Sequence, residues 1–441
     1  MGKFLFVEKR IRNEKLGLMT LAAVLKANGH DVQLIQTQFE DIDQYIIDFS
    51  PDFLGYSLMT GDHDFFLDLN RKLKKKHSFS SVFGGPHCTF FPEIIAENGV
   101  DFVVQGAGEE IICQIVTNTL MPGLYKGNLS ENTNLLPHPD RDIIYKYNNF
   151  RENPIKNIIT MRDCPYNCSY CYNHLWNKFY KNQKNKLFQR RSVENVINEI
   201  EKIRTHYPLE KINFIDDNFI FDRAWIKEFC QTYKKKIGLP FLISVRINLL
   251  NDDLVASLYD AGLEMVNFAL ESATPAVQKD LLNRGNFSNE SVKQSIALFK
   301  KYGIRVRMQN MIGLPLPDPL KDALSTLKFN LENQVEDSWV SLYQPYPRTK
   351  LGIFCEDQGY ISGSCLENCS DSFFNETRLD IPDKEKLYRL QKWWYLIVRY
   401  NLPQELIDIL IHLPINKRQA EHLLNLRFEM SKKHFYGLKN D

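Results

Sequence analysis

The chain has 441 residues, 44% of them hydrophobic and 25% charged, with a formal net charge of +1. That length supports two or three domains with cores of their own, and the near-neutral balance gives no electrostatic basis for binding nucleic acid or an anionic membrane. No apolar run approaches the roughly 20 residues of a transmembrane helix and no secretory signal opens the sequence, so a cytoplasmic protein is expected.

In chain order, Lys3–Val7, Asp31–Ile35, Phe53–Leu58, Ser81–Phe83 and Phe102–Val104 read as short apolar strands. Helices are expected between them over Leu16–Ala27, Phe65–Lys75, Phe91–Glu97 and Glu110–Asn118. Alternating strands and helices predict an α/β domain over residues 1–125, flavodoxin- or Rossmann-like, with a parallel sheet covered on both faces. Such a sheet binds ligands at the carboxyl ends of its strands. Ser57 and Thr60 lie at one of those ends, Gly84, Gly85 and His87 at the next, and Gly106, Gly108 and Glu109 at a third. Glycines there let the backbone approach a large flat ligand with no Cβ in between. Each one alone is explained equally well as a turn residue; their joint placement points to a binding edge.

A linker containing Asn and Pro is expected over residues 126–154, followed by a second α/β pattern over 155–349. It opens with the strand-like run Asn157–Met161, which leads directly into Cys164, Cys168 and Cys171. The C-x3-C-x2-C spacing suits three corners of an iron–sulfur cube and leaves the fourth iron without a protein ligand. An open metal site is what chemistry on a substrate requires. From the residues alone the alternative is zinc, because His174 completes a Cys3His set able to close a structural site. Against zinc, the loop continues a long α/β pattern, and Tyr170 precedes the last cysteine, placed to stack on a planar ligand. Nine cysteines, an odd number and mostly scattered, suit a reducing compartment.

Lys211–Asp216, Phe241–Val245, Met265–Leu270, Ile304–Met308 and Trp339–Tyr343 read as further strands, with helices after Ser192, Asn251 and Ser288 as caps. Chemistry-bearing residues recur at the strand ends: Asp216 with Asp217, then Arg246, then Glu271, then Gly313. A lone acid after a strand is usually a helix cap, but several in register with the cysteine loop favour one shared site at the carboxyl face of a barrel. Residues 350–441 read as mostly helical, a cap over the open side of a partial barrel. Cys355, Cys365 and Cys369 fit no cluster spacing and read as ordinary cysteines, and the basic end from Lys432 to Lys439 reads as solvated.

The cysteine loop resembles the C-x3-C-x-aromatic-C signature of radical S-adenosylmethionine (SAM) enzymes. The N-terminal pattern resembles the cobalamin-binding domain that precedes many of them, so the chain is similar to cobalamin-dependent radical SAM enzymes. The resemblance implies a partial (β/α)6 TIM-like barrel and a [4Fe–4S] cluster held by Cys164, Cys168 and Cys171, with SAM on the open iron. It implies Tyr170 and Gly313 beside the adenine, Asp216 and Asp217 toward the SAM amino group, Arg246 toward its carboxylate and Glu271 toward the ribose. Gly84, Gly85 and His87 match a G-G-x-H segment of the cobalamin domain. Gly106, Gly108 and Glu109 match G-E-G-E, with Ala107 in place of the first glutamate. Ser57 and Thr60 complete that set.

Three departures stand out. Leu316-Pro317-Asp318 follows Gly-Leu-Pro where Gly-Glu-Thr is common, and Arg348 stands where glycine is common. No D-x-H-x-x-G motif occurs in the N-terminal third, so cobalamin is expected without its own base and without a protein histidine on cobalt. The implied activity is methylation of an unactivated carbon, with a 5′-deoxyadenosyl radical removing hydrogen and methylcobalamin giving the methyl group. The same cofactors serving a non-methylating cyclisation, rearrangement or oxidation is one alternative, and a cobalamin carrier with a zinc staple is another. Expected partners are a small-molecule, natural-product-like substrate and an electron donor such as flavodoxin or ferredoxin.

Overall fold

The structure is a computed structural model describing residues 1–370 and 372–436, except the side chains of 432–436. The basic end from Lys432 to Lys439 therefore lies outside the described side chains.

Two parallel six-stranded sheets organise the chain. The first is built from β1 (Lys3–Glu8), β2 (Asp31–Gln36), β3 (Phe53–Ser57), β4 (Ser80–Gly84), β5 (Phe102–Gly106) and β6 (Gly123–Gly127), in the order β2-β1-β3-β4-β5-β6. Phe4 to Val7 are all buried, because helices cover both faces and every side chain meets the core. The order runs one way from β1 to β2 and the other way from β1 to β3. Doubly wound sheets open a crevice at the carboxyl ends beside such a reversal. Ser57 ends β3, Gly84 ends β4 and Gly106 ends β5, so the expected binding edge is a structural edge.

The second sheet comprises β7 (Ile155–Ile158), β8 (Lys211–Phe214), β9 (Phe241–Ser244), β10 (Leu263–Glu271), β11 (Arg305–Ile312) and β12 (Asp337–Leu342). Each strand neighbours the next in strict sequence, β7 to β12, the order of an open (β/α)6 barrel. The intervening helices start at the expected caps. Ser192 Oγ accepts from the Asn195 amide at 3.2 Å and Asn251 Oδ1 from the Leu254 amide at 3.0 Å, and Ser288 forms a reciprocal box with Ser291. Helices follow in the C-terminal region, and Lys384–Tyr400 packs on β12, where Trp394 Nε1 donates to Ser338 Oγ at 2.7 Å.

By packing, residues 1–157 and 180–209 form one compact unit, and residues 158–179 with 210–441 form the other. Some elements differ from expectation. The single helix expected over Phe91–Glu97 is two short pieces, Pro86–Phe90 and Pro92–Ala96, because Pro92 cannot continue the first. β6 runs past residue 125, and short helices at Asp142–Tyr145 and Asn148–Arg151 occupy the stretch expected as a linker. No helix among the described residues is long and apolar enough to cross a membrane.

Candidate functional site

The cysteine loop follows β7 and is pinned by the segment after β10. Ser169 donates through its amide to Leu282 O at 3.2 Å and through its hydroxyl to Leu281 O at 2.5 Å, while Asn283 Nδ2 donates to Asn167 O at 2.7 Å. Burial pushes the Cys164 thiol up to about 11 and the Cys171 thiol up to about 12, and the charges of neighbouring sulfurs push the same way. Donors point at them: Arg246 Nη1 lies 3.6 Å and Arg284 Nη1 3.7 Å from Cys168 Sγ, and the Asn173 amide lies 3.5 Å from Cys171 Sγ. Hydrogen bonds and cations around thiolates are what stabilise an iron–sulfur centre. The donor set fits such a group.

The zinc alternative turns on His174. Its Nδ1 lies 2.5 Å from the Cys171 carbonyl oxygen, which ties the ring to the loop backbone and leaves Nε2 as the ring nitrogen that could join the cysteines.

Around the loop, Tyr170 Oη donates to Glu271 Oε1 at 2.7 Å and accepts from Arg284 Nη1 at 3.1 Å. Glu271 ends β10 just past a register shift and has φ +65°, a left-handed conformation that a non-glycine residue adopts only under constraint. Burial pushes its carboxyl up, against the opposing pull of Arg284, Tyr170 and Arg246. Arg246 is buried, with Nη2 donating to Asn286 Oδ1 at 2.8 Å and the guanidinium 4.0 Å from the Tyr166 ring centre. Gly313 follows β11 with φ +71°.

The adjacent carboxylates divide. Asp216 is 1% exposed and accepts from the Thr160 amide at 2.6 Å, the Met161 amide at 3.3 Å and the Thr160 hydroxyl. Asp217 is exposed and accepts from Asn173 Nδ2 at 3.1 Å. Arg284 has no spacing signal in the sequence; only the folded chain returns it to the cysteine loop.

In the N-terminal unit, His87 is buried, with Nδ1 at 3.2 Å from Thr60 Oγ1 and its ring stacked 4.1 Å from His63. Gly85 has φ +92°, and a Cβ there would meet the Leu58 amide nitrogen and carbonyl oxygen at 2.9 Å. The Gly106 amide donates to Thr89 Oγ1 at 3.0 Å, tying β5 to the helix after Gly85. Gly108 caps the helix that begins at Glu109. Thus Ser57, Thr60, Gly84, Gly85, His87, Gly106, Gly108 and Glu109 all lie at or just beyond the ends of β3, β4 and β5. Cys355 and Cys365 are buried among apolar side chains, as ordinary cysteines are.

Residues 8–116 match the family model for a B12 binding domain, and residues 158–327 match that for the Radical SAM superfamily. An uncharacterized methyltransferase of Pyrococcus horikoshii is 26% identical over 76% of this chain and 77% of its own length. The bacteriochlorophyllide d C-8(2)-methyltransferase of Chlorobaculum tepidum is 23% identical over 94% of each chain. The structure of the radical SAM methyltransferase TsrM of Kitasatospora setae, with tryptophan substrate and a SAM analog bound, superposes with a TM-score of 0.65. It covers 82% of this chain and 77% of TsrM at 15% identity, a likeness of fold.

Proposed function

The chain belongs to the cobalamin-dependent radical SAM enzymes, and from that premise we propose that it methylates an unactivated carbon of a small molecule. The observation that carries this reading is the cysteine loop, pinned by the segment after β10, with Arg246 and Arg284 each donating toward Cys168 Sγ. Relatives named as methyltransferases support methyl transfer over the other uses of the same cofactors.

Cys164, Cys168 and Cys171 hold the [4Fe–4S] cluster in this reading. When bound, the cluster with SAM supplies a 5′-deoxyadenosyl radical and cobalamin supplies the methyl group. The chain's own residues bind and orient. Asp217, exposed beside the loop, receives the SAM ammonium, while Asp216 fixes the end of β7 from which the loop departs. Arg246 pairs with the SAM carboxylate through an Nε–H that has no partner among the described residues. Glu271, held by Tyr170, accepts from the ribose hydroxyls, and Tyr170 and Gly313 flank the adenine. The strand-end set from Ser57 to Glu109 cradles cobalamin, with Gly85 allowing close approach.

The cycle also calls for a one-electron donor of the flavodoxin or ferredoxin class. All nine cysteines are free thiols, which with an oxygen-sensitive cluster supports a cytoplasmic setting.

The test is anaerobic reconstitution followed by incubation with methyl-labelled SAM and candidate substrates. Label in the product together with 5′-deoxyadenosine is expected. Unlabelled product alongside 5′-deoxyadenosine would instead indicate a non-methylating reaction. Cys168→Ala is expected to abolish SAM cleavage while the protein still binds cobalamin; retained cleavage would refute the cluster assignment.

A further inference from the structure

Burial alternates toward the ends of β10 and β12, and on β11 Gln309 is exposed within a run otherwise buried from Val306 to Ile312. Phe268, Met308, Asn310, Val340 and Leu342 are covered, whereas Asn267, Ala269, Trp339 and Ser341 stay partly open and Gln309 is exposed. Ala269, Gln309 and Trp339 lie side by side in register, and Glu271 ends the same open series on β10. Arg307, Met311 and Asp337 on the same side are buried, so what stays open is the patch of Ala269, Gln309, Trp339 and Ser341, on the side that carries Glu271.

A buried cation lies at that patch. The Arg427 guanidinium is 4.1 Å from the Trp339 ring centre and 5.2 Å from that of Phe374. Arg427 is 4% exposed, yet neither Nη1 nor Nη2 has a partner among the described residues. The nearby acid is already engaged: Asp337 Oδ2 accepts from Arg307 Nε at 2.6 Å and from Ser431 Oγ at 3.3 Å. Lys392, 6% exposed, adds a second positive charge, with Nζ 4.6 Å from the Tyr388 ring centre and donating to the Phe374 carbonyl. Burial pushes the Arg427 guanidinium down to about 10 and the Lys392 ammonium down to about 8, the mark of cations held away from water. Asp337 is the acid whose charge reaches Arg427, but its Oδ2 is taken by Arg307 and Ser431, so among the described residues no carboxylate is hydrogen-bonded to either Nη.

A line of aromatic rings connects this place with the cysteine loop. Tyr172 lies 5.4 Å from Tyr346, Tyr346 is 6.2 Å from Phe373, and Phe373 is 6.5 Å from Phe374. We propose that Arg427, with Lys392 beside it, binds a carboxylate group of the substrate, whose apolar body lies along these rings toward the cluster. Because the guanidinium stacks on Trp339, its Nη edge is what remains to be paired, and that edge matches the two oxygens of a carboxylate. The inference rests on the methylation substrate occupying the open patch, but the binding step itself needs no cofactor.

The test titrates the full chain, purified anaerobically, with phenylacetate and with its neutral isostere phenylacetamide, following the melting temperature. Phenylacetate is expected to raise it by a few degrees near saturation while the amide leaves it unchanged. Arg427→Met is expected to lose that shift, and Arg427→Lys to weaken binding about tenfold. If Arg427→Met does not fold, Arg427→Lys against the parent decides. Equal shifts with acid and amide, no shift up to the solubility limit, a shift that survives in Arg427→Met, or an undiminished affinity in Arg427→Lys would overturn the proposal. Methyl transfer plays no part in this readout, so a failure here and a failure of the methyltransferase reading are told apart.

Discussion

Asp216 and Asp217 are neighbours in sequence with opposite surroundings, and that difference is measurable. Asp216 satisfies two amides and a hydroxyl at the end of β7, all buried. Asp216→Asn turns an N–H toward those donors and is expected to cost about 2–3 kcal/mol in urea unfolding. Asp217→Asn touches one partner, the half-buried Asn173; stability should stay within about 0.5 kcal/mol, and SAM affinity in equilibrium dialysis should fall instead. Equal losses of stability would show that the two carboxylates share one role. Arg284 supports a second prediction. It lies against both Cys168 Sγ and Tyr170 Oη. Removing its charge in Arg284→Met makes an added electron less favourable, so the reduction potential of the reconstituted cluster should move negative, by tens of millivolts. A redox titration followed by electron paramagnetic resonance reads the shift.

At the scale of elements, what was legible in sequence follows from how the elements are buried. Strands such as β1 and β3 are covered on both faces and therefore appear as unbroken apolar runs. The caps at Ser192, Asn251 and Ser288 were legible because side-chain capping is local chemistry. β6 was not, since an edge strand reading Gly-Leu-Tyr-Lys-Gly is mostly half-buried or exposed and pairs only with β5. The cysteine loop announced itself by spacing, whereas Arg284 and Arg427 are single arginines whose neighbours come from distant parts of the chain. No local pattern marks such residues. Gly85 shows how tightly a strand end is specified: with φ +92° and Leu58 backbone 2.9 Å from any Cβ, Gly85→Ala strains the turn before His87. The expected result is a loss of about 1–3 kcal/mol and of cobalamin retention on gel filtration, with the cluster's visible absorption unchanged.

At the scale of the molecule, each compact unit has a core of its own, and each proposed cofactor is held within one of them. Leu5, Leu54, Phe83 and Val103 anchor the first, while Ile312, Leu342, Leu390 and Trp394 anchor the second. A ligand that binds only the folded form stabilises the unit that holds it, in proportion to RT ln(1 + [L]/Kd), which is about 2.7 kcal/mol at a hundredfold excess over Kd. Chains with more than one core need not unfold in a single step. Calorimetry of the reconstituted protein should therefore resolve two transitions. Added cobalamin should raise the one belonging to the unit of residues 1–157 and 180–209, and iron chelation should lower the one belonging to the unit with Cys164, Cys168 and Cys171. Limited proteolysis at intermediate temperature would assign them by the fragments that survive. If cobalamin and chelator moved the same transition equally, cofactor binding would be coupled across the whole chain and the two-core account of its stability would fail.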